Sequence, residues 1–463
     1  MSKSSAMPGV TIQDQLDKDL PEEWVMACIK DIAEINPRHP KGLADSMPVS
    51  FVSMAALNED SPTFARLEER PYGEVRKGFT HFQEGDVLFA KITPCMENGK
   101  GAVATGLRNG IGCGTTELHV LRPLDGIDAL YLYRFLSQRS VRRDAAETFT
   151  SSAGQARVPT RFIEELEIPL PPLAEQKLIV EKVEELLTRV NAAREHLAKV
   201  PAILKRFRQS VLAAACSGEL VGREQPCSYF ERSLVEMGVD IQTGPFGSAL
   251  HRSDYVEGGI PLINPMHIRD GKMLPDVRFS VPPAKAVEMS RYRLRAGDVV
   301  LGRRGEMGRA AVVRGSQEGF LCGTGSMVLR CNKTSLDAEF LCASLRSPRT
   351  VAALTEGSVG STMINLNQSV VSGITVLGIP LPEQHEIVRR VEDLFFLADS
   401  IEKQVAAGMA RVEKLTQAIL TKAFCGELVP QGPKDEPGSI LLDRVKRASN
   451  TLATKTRVRQ SES

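Results

Sequence analysis

Two glycine-flanked loops carry the side chains of this chain that are best suited to binding chemistry. The run Gly302-Arg303-Arg304-Gly305 would present two guanidinium groups side by side. The stretch Ala90–Lys100 combines two lysines, a threonine and an asparagine. Guanidinium and ammonium groups pair with phosphates, and Arg, Asn and Thr side chains also bond to base edges. Both loops are candidate nucleic-acid contacts, although an ordinary surface hairpin can have the same composition.

The positive charge around the arginine-bearing loop also favours nucleic-acid binding. Residues 278–314 hold nine Lys or Arg side chains and three acidic ones, whereas the whole chain has a formal net charge of +1. Concentrated positive charge attracts a polyanion such as a nucleic acid. Such a run is equally compatible with a solvated surface, so charge alone leaves both interpretations open.

Motifs for catalysis on nucleic acids are missing from the sequence. The closest approaches to the Asn/Asp-Pro-Pro-aromatic loop of amino-methylating enzymes are Asn36-Pro37-Arg38 and Asn264-Pro265-Met266, which lack the second proline and the aromatic residue. The phosphate-binding pattern Gly-x-x-x-x-Gly-Lys-Ser/Thr does not occur. The seven histidines show no metal-ligand spacing. We therefore predict no catalytic residue and no metal site in this chain.

Composition is that of an ordinary globular protein. The 463 residues suffice for two or three domains. No apolar run approaches the roughly 18 residues that a membrane-spanning helix needs, and the first ten residues lack the apolar core of a signal peptide. Nine scattered cysteines without a Cys-x-x-Cys pair predict reduced thiols and a cytoplasmic location.

One long stretch that occurs twice must position the loops. Residues 175–221 begin with Glu-Gln and end with Gly-Glu-Leu-Val, and residues 383–429 do the same. The offset is 208 residues at both ends, so no insertion separates the copies. Each copy follows a proline cluster and ends at a glycine, which favours a helix.

Apolar residues recur in both copies in alternating steps of four and three. A 3.5-residue period held over several heptads is typical of a coiled coil. Two unrelated amphipathic helices would be the alternative, but their equal length and constant offset argue against it. The predicted seam consists of Ile179, Val183, Leu186, Val190, Leu197, Leu204, Ile387, Val391, Leu394, Ile401, Val405 and Val412.

The short connector between the copies favours an antiparallel helix pair. Each helix of about 40 residues would span roughly 60 Å. A parallel pair requires the chain to return that distance, but residues 222–228 reach at most about 25 Å. The antiparallel pair would form a ruler with a globular head at each end.

The two heads share a plan but differ in detail. The run Gly85–Phe89 is matched by Gly297–Leu301, and Cys113-Gly114-Thr115 is matched by Cys322-Gly323-Thr324. The offset drifts between these matches, so loop lengths differ. A repeated scaffold with two different heads suggests one task performed on two different targets.

Pro201 lies in the middle of the first copy, and Gly408 matches Val200 in the second. Proline removes a helical hydrogen bond and bends the chain. The apolar period continues without a change of register, so we predict a kink. A helical hairpin at this point, which would shorten the ruler, is the alternative.

The junctions and helices resemble the specificity subunit of type I restriction–modification systems. The resemblance covers about residues 21–429. The junctions that carry it are Ile168–Gln176, Ser217–Leu220 and Ile379–Gln384, and Leu204–Gln209 and Glu386–Glu392 look like the enteric branch. In the heads, Gly85–Cys95 and Gly114–Val120 look like one recurrent type of target-recognition domain, and Tyr255–Leu262 looks like another.

The resemblance implies an α+β fold with a pseudo-twofold internal repeat. Two mixed α/β target-recognition domains would be separated by two long helices that form an antiparallel coiled coil. The expected divisions are a flexible tail at 1–20, recognition domains at 21–167 and 229–378, spacer helices at 168–221 and 379–429, a connector at 222–228, and a largely disordered tail at 430–463. Residues 439–448 in that tail are a possible short helix.

The resemblance also implies a non-catalytic role in sequence recognition. Each domain would read one half of a bipartite, asymmetric target in double-stranded DNA, and the coiled coil would set the gap. The helices would dock two modification subunits, which use S-adenosylmethionine to methylate adenine. Two restriction subunits would add ATP- and magnesium-dependent translocation and cleavage. No cofactor is expected in this chain, which would act in the bacterial cytoplasm.

The predicted DNA contacts lie in the loops of the two heads. They are Lys91, Thr93, Asn98, Lys100, Thr115, Thr116, Arg303, Arg304, Arg309 and Thr324. Two other function classes remain as alternatives: a coiled-coil adaptor with two protein-binding heads, and an enzyme with an unrecognised active site.

Overall fold

The computed structural model describes residues 20–38, 42–59, 61–152, 155–221, 230–245, 249–358, 365–432 and 436–448. The chain forms two compact units. The first unit comprises residues up to 196 and from 408 onward, and the second comprises residues 197–407. Each unit therefore contains one head and part of each long helix. Within the described ranges, no helix is both long and apolar enough to cross a bilayer.

The first unit contains twelve strands in its head. They are β1 (Val25–Cys28), β2 (Ala33–Ile35), β3 (Pro48–Val52), β4 (Glu68–Pro71), β5 (Thr80–Gln83), β6 (Val87–Ala90), β7 (Gly101–Val103), β8 (Ile111–Gly114), β9 (Leu118–Pro123), β10 (Thr150–Ser152), β11 (Gln155–Arg157) and β12 (Glu167–Leu170). Its shorter helices are α1 (Ile29–Ile32), α2 (Tyr72–Val75), α3 (Ala129–Leu136), α4 (Arg139–Glu147) and α5 (Thr160–Glu165). The first long helix, α6, spans Leu173–Ser217 and runs into the second unit.

The second unit follows with the remaining strands and most of the remaining helices. The strands are β13 (Glu231–Ser233), β14 (Asp240–Thr243), β15 (Ile260–Ile263), β16 (Ile268–Arg269), β17 (Lys272–Met273), β18 (Ser280–Val281), β19 (Val299–Gly302), β20 (Ala310–Val312), β21 (Leu321–Cys322), β22 (Ser326–Arg330) and β23 (Thr375–Leu377). The helices are α7 (Pro283–Glu288), α8 (Ala338–Leu345), α9 (Pro348–Glu356), α10 (Gln368–Ser372) and the second long helix, α11 (Leu381–Phe424), which runs back into the first unit.

The two heads have matching sheets. The first head has an antiparallel sheet of order β2-β9-β6-β7, and the second has one of order β14-β22-β19-β20. A second sheet in each head contains a parallel pair, β3 with β8 and β15 with β21. The predicted mixed α/β heads and their shared plan are thereby confirmed.

Alternating side chains of the central strands enter two different cores. Val87 and Phe89 pack into the core that includes the long helices, whereas Leu88 packs into the core on the other face of the sheet. Val299 and Val300 divide between two cores in the same way. A strand buried on both faces has no polar alternation, which explains the continuous apolar runs in the sequence.

In each unit the two long helices run antiparallel. In the second unit, Arg208 lies 2.6 Å from Asp399, and Arg390 donates to the carbonyl of Leu220. As the residue number increases along α6, the number of the residue that it contacts on α11 decreases. In the first unit, Arg194 contacts Glu413, and the start of α6 shares a core with the end of α11.

The predicted seam residues all lie inward. All twelve are buried or half-buried, and Ile179, Val183 and Ile387 are at most 1% exposed. Outside the predicted register, Leu178 and Phe396 are exposed, whereas Leu187 and Leu212 are buried in the cores that the long helices share with the heads. The buried surface of the long helices is therefore wider than the predicted seam.

The ends of the long helices differ slightly from the prediction. Helix α6 stops at Ser217 because Gly218 has a φ of 79°, and Glu219–Val221 forms a short 3-10 turn. Helix α11 ends before Gly426, which has a φ of 72°. A left-handed residue ends the α-helix, and glycine adopts that conformation without strain. Pro201 lies within the unbroken α6, so the helical hairpin alternative is wrong.

The Glu-Gln motif fastens each long helix to its own head. Gln176 is fully buried; its amide accepts from the backbone of Asp128 and donates to the carbonyls of Gly126 and Pro171. The bond to Asp128 also aligns the helix N-cap, because the Asp128 side chain caps α3. The repeated motif is therefore a joint between helix and head.

The C-terminal tail contains a docked helix. Residues 438–448 form helix α12, and Leu441, Leu442 and Val445 are buried in the core of the first unit. The possible short helix predicted for this region is confirmed, and apolar residues on one face explain its docking. The predicted connector, nearly all of the predicted N-terminal tail and residues 449–463 lie outside the described residues.

Candidate nucleic-acid interface

Each head holds its basic loop by the same backbone bonds. In the first head, the Lys91 amide donates to Glu117 at 3.0 Å, and its carbonyl accepts from Val158 at 2.9 Å. The loop 91–100 begins directly after β6 and leads into β7. A short run of chain is thus held between two neighbouring segments before the loop extends outward.

The second head repeats this arrangement at Arg303. Its amide donates to Gly325 at 2.9 Å, and its carbonyl accepts from Leu366 at 2.9 Å. The loop 303–309 begins directly after β19 and leads into β20. Lys91 and Arg303 therefore occupy corresponding positions, with the same offset of 212 residues that relates Gly85 to Gly297.

The side chains of the first loop lie in a mixed polar environment. Lys91 and Thr93 are half-buried, and Asn98 is exposed. Asn98 donates to Glu59 at 3.2 Å, and Lys100 donates to the carbonyl of Met54 at 3.2 Å. These bonds hold part of the loop against the neighbouring segment 54–59.

The threonines lie beside the loop starts. Thr115 is half-buried and its hydroxyl accepts from the amide of Glu117 at 3.2 Å, whereas Thr116 is exposed. Thr324, in the second head, is half-buried. The structure therefore brings Thr115 and Thr116 next to Lys91 through Glu117 in the first head.

The two arginines of the second loop have different surroundings. Arg304 is exposed. Arg303 is only 7% exposed and its Nε donates to Asn365 at 3.0 Å. Burial, together with the charge of Arg304, lowers the pKa of Arg303. The guanidinium group available at this surface is therefore that of Arg304.

Carboxylates neutralise much of the positive run in the second head. Arg309, for example, lies 2.9 Å from Glu306 and also donates to the carbonyl of Pro265. Other pairs are Arg278 with Asp276 at 2.6 Å, Lys285 with Glu288 at 3.1 Å, and Arg314 with Glu339 at 2.7 Å. The local charge count therefore overstates the positive potential of this surface.

Each central strand that leads into a basic loop, β6 or β19, has an Asp–Arg pair at its other end. Asp86 is 1% exposed and accepts two bonds of 2.8 Å from Arg122. Asp298 corresponds to Asp86 and lies 3.4 Å from Arg330, and burial raises the pKa of Asp298. Paired buried charges of this kind fix strand ends in place.

A polar cavity of about 390 Å³ adjoins the first loop. Arg38 and Lys91 supply cationic groups at this cavity, and Thr80 supplies a hydroxyl group. Cations and hydroxyl groups in a concave surface are suited to a phosphate of a nucleic-acid backbone.

His119 lies at the buried end of the same cavity and is neutral. It is 3% exposed, and burial lowers its pKa. The Asn36 amide oxygen accepts from Val120, which turns the amide nitrogen toward Nδ1 of His119 at 3.5 Å. Nε2 is therefore the protonated nitrogen and donates to Val158 at 2.9 Å. These bonds are those of a buried core histidine whose two ring nitrogens both have polar neighbours.

Comparison with known proteins identifies the family. The family model for the type I restriction modification DNA specificity domain matches residues 21–200 and 248–408, which is more than half of the chain. This chain belongs to that family. The first matched region contains the first head, and the second begins after β14 and contains the rest of the second head.

Several specificity subunits are similar in sequence to this specificity-domain protein. The type I restriction enzyme EcoBI specificity subunit of Escherichia coli is 35% identical over 314 residues, which cover 63% of this chain and 64% of that protein. The EcoKI specificity subunit of Escherichia coli strain K12 is 32% identical over 342 residues, covering 69% and 70%. The match with the EcoAI subunit covers only 32% of that protein. The chain thus spans less than two thirds of the EcoBI and EcoAI subunits.

Solved structures share the fold of this specificity-domain protein. One, from a study of complex assembly and conformational transition of the type I R-M system, has a TM-score of 0.70, with 22% identity over 89% of this chain and 100% of that one. The HsdS subunit from Thermoanaerobacter tengcongensis has a TM-score of 0.60, also with 22% identity, over 89% and 99%. The predicted fold, two recognition domains with two long helices, is thereby confirmed.

One feature of the specificity domains was not predicted from the sequence. Arg157 forms a two-bond ion pair with Glu117, 40 positions away, at the base of the first loop. A single sequence offers no signal for such a pair, because neither residue belongs to a local motif. Val158 and Leu366 are 208 residues apart, the same offset as the repeated helices. That offset indicates that the segments around Val158 and Leu366 correspond, but it does not indicate the ion pair.

Proposed function

We propose that this chain is the DNA sequence-recognition subunit of a type I restriction–modification complex. Each head reads one half of a bipartite target in double-stranded DNA. The antiparallel helices set the gap between the halves. The observation that carries the proposal is the pair of corresponding loops, held by the same backbone bonds but furnished with different side chains.

Exposed and half-buried polar residues of the two loops and of the threonine segments beside them make the DNA contacts in this proposal. In the first head these are Lys91, Thr93, Asn98, Lys100, Thr115 and Thr116, and in the second they are Arg304, Arg309 and Thr324. Loop cations bind phosphates, while amide and hydroxyl groups bond to base edges. Arg303, which is buried, supports its loop rather than reaching the duplex.

The difference between the heads explains why two half-sites would differ in sequence. The loop 91–100 is longer than the loop 303–309, and it carries Lys91, Asn98 and Lys100 where the second loop carries Arg304 and Arg309. Different donors at the same place of a shared scaffold bond to different base edges. An asymmetric target follows from an asymmetric pair of loops.

Partner subunits supply the chemistry in this proposal. The chain carries none of the catalytic motifs sought in the sequence. Two modification subunits would bind S-adenosylmethionine and methylate adenine, and two restriction subunits would use ATP and magnesium. The similar proteins are specificity subunits of type I restriction enzymes, which supports this assignment.

The target is found first by expressing the chain with its modification subunit and sequencing the methylated adenines. A duplex carrying that target then tests the loops. Replacing Arg304 with Ala should weaken binding about tenfold and reduce the slope of log affinity against log salt by about one, as expected for one lost phosphate contact.

The control is Lys333→Ala, because Lys333 is exposed in the same head and lies on a turn outside the basic loop. Its binding should match that of the unmodified chain. If no bipartite methylated sequence emerges, the proposed function is wrong. If Arg304→Ala binds as tightly as Lys333→Ala, the assignment of the second loop is wrong.

A further inference from the structure

An ion pair joins three segments at the base of the first loop. The Nε and Nη2 atoms of Arg157 donate to Oε2 and Oε1 of Glu117, both at 2.9 Å. A two-bond arginine–carboxylate contact fixes direction as well as distance. Arg157 lowers the pKa of Glu117, so the carboxylate is charged at neutral pH.

Backbone bonds place this pair where the DNA-reading segments meet. The Thr93 amide donates to the carbonyl of Ala156 at 3.2 Å, and Ile92 is bridged to Arg157. The Glu117 carbonyl accepts from Lys91 at 3.0 Å. The loop 91–100, the threonine segment 115–116 and strand β11 are therefore joined through Glu117 and Arg157.

The second head connects the corresponding segments through different residues. Its backbone bridge joins Arg304 to Asn365, where the first head joins Ile92 to Arg157. Gly325 takes the place of Glu117 at the corresponding carbonyl and has no side chain to offer. The side-chain bond runs instead from Nε of Arg303 to Asn365 at 3.0 Å. In each head, one arginine side chain thus joins two of the segments that meet at the base of the loop.

We propose that Glu117–Arg157 and Arg303–Asn365 are positioning pairs, each of which fixes the DNA-reading loop of its own head. Both pairs control which bases a half-site must contain without contacting the bases. This inference rests on the proposed function.

The bonding of the two arginines favours positioning over direct contact. The Arg157 guanidinium bonds to a carboxylate through two of its nitrogens, and that carboxylate would repel a phosphate. Arg303 is only 7% exposed. The Glu117–Arg157 pair is partly exposed, and such pairs contribute little to overall stability. Loss of the pair should therefore change loop geometry more than folding.

The test exchanges the charges of the first pair. Glu117→Arg and Arg157→Glu are prepared singly and together, within the complex that contains the modification subunit. Discrimination is measured as the affinity for the target duplex divided by that for a duplex with one base pair changed in the first half-site. Each single variant should lose about tenfold in discrimination, and the double variant should recover most of it.

The second half-site is the internal control. Discrimination there should be unchanged in all three variants. Asn365→Ala should show the converse pattern, with a loss at the second half-site only. Glu117→Gln, which keeps the side-chain shape, covers the case in which a charge-reversed single variant fails to fold.

Failure of this inference is separable from failure of the proposed function. If the unmodified chain does not discriminate at all, the proposed function is wrong and so is the inference built on it. If it discriminates but Glu117→Gln and the folded charge variants do so equally well, the positioning role is wrong. A double variant as poor as the product of its singles also overturns it, because a true pair must show coupling.

Discussion

Gln384 makes in the second unit the same three hydrogen bonds that Gln176, 208 positions earlier, makes in the first. Its amide accepts from the backbone of Asp337 at 2.8 Å and donates to Ile379 at 2.8 Å and to Ser335 at 3.0 Å. Asp337 caps α8 as Asp128 caps α3. Both glutamines are fully buried. The duplication therefore preserved the joint between helix and head, while the loops that face the proposed target diverged.

Loss of this joint should destabilise the unit that contains it. Gln384→Ala removes three buried hydrogen bonds and leaves backbone groups without partners, which should lower the free energy of unfolding by about 2–4 kcal/mol. Hydrogen exchange resolves the second unit separately from the first. Gln404→Ala, at an exposed position on the same helix, should change it by less than about 0.5 kcal/mol. Equal effects of the two variants would contradict the assigned joint.

The helices were predictable because their signal is local and repeated. Constant spacing, a 3.5-residue period and terminal glycines are all visible in the sequence, and predicted seam residues such as Ile179 and Ile387 are buried. Pro201 was ambiguous in the sequence, since a kink and a hairpin both accommodate proline. The structure shows one uninterrupted helix over Leu173–Ser217, which decides for a continuous helix.

Acid should destabilise the first head through His119. Its folded pKa lies below the ordinary value of 6.5 because it is buried. A lowered histidine pKa means that the unfolded chain binds the proton more readily, so stability is fully present above 6.5 and is lost as pH falls toward the folded pKa. The proton would enter at Nδ1, which faces the amide nitrogen of Asn36.

The matched variant is His119→Gln, which retains hydrogen-bonding groups but cannot titrate. Unfolding is followed by hydrogen exchange at about pH 7.5 and about pH 5.5, on either side of the unperturbed histidine pKa. The unmodified first head should lose more stability than the variant. Parallel losses in both proteins would contradict the role of His119.

The docked C-terminal helix should stabilise the first unit. Leu441 is 1% exposed in the core, so Leu441→Ala should cost about 2–4 kcal/mol through lost burial and the cavity left behind. Ile440, its neighbour, is 54% exposed, and Ile440→Ala should change stability by less than about 0.5 kcal/mol. Denaturant unfolding, monitored in the first unit, gives the free energy of unfolding of each variant. Similar small effects would mean that the helix contributes nothing to this core.

Contacts between segments that are distant in the sequence could not be predicted from the sequence alone. Arg303 looked like half of an exposed arginine pair, but Asn365, 62 positions away, holds it inward. The cations of residues 278–314 likewise find carboxylate partners that a net charge count cannot reveal, such as Glu339 for Arg314. Neighbours of this kind are set by the fold, so composition identifies the loops but not which of their side chains are available.

The most direct test of the central claim changes the length of both long helices together. One heptad is inserted after His196 and another after Ala407, which keeps the apolar register of each helix. Seven residues add about 10 Å, or about three base pairs of duplex. The variant, expressed with its modification subunit, is presented with a library in which the two half-sites are fixed and the gap length varies. Methylation should move to a gap about three base pairs longer with both half-sites unchanged. Methylation at the original gap would contradict the account.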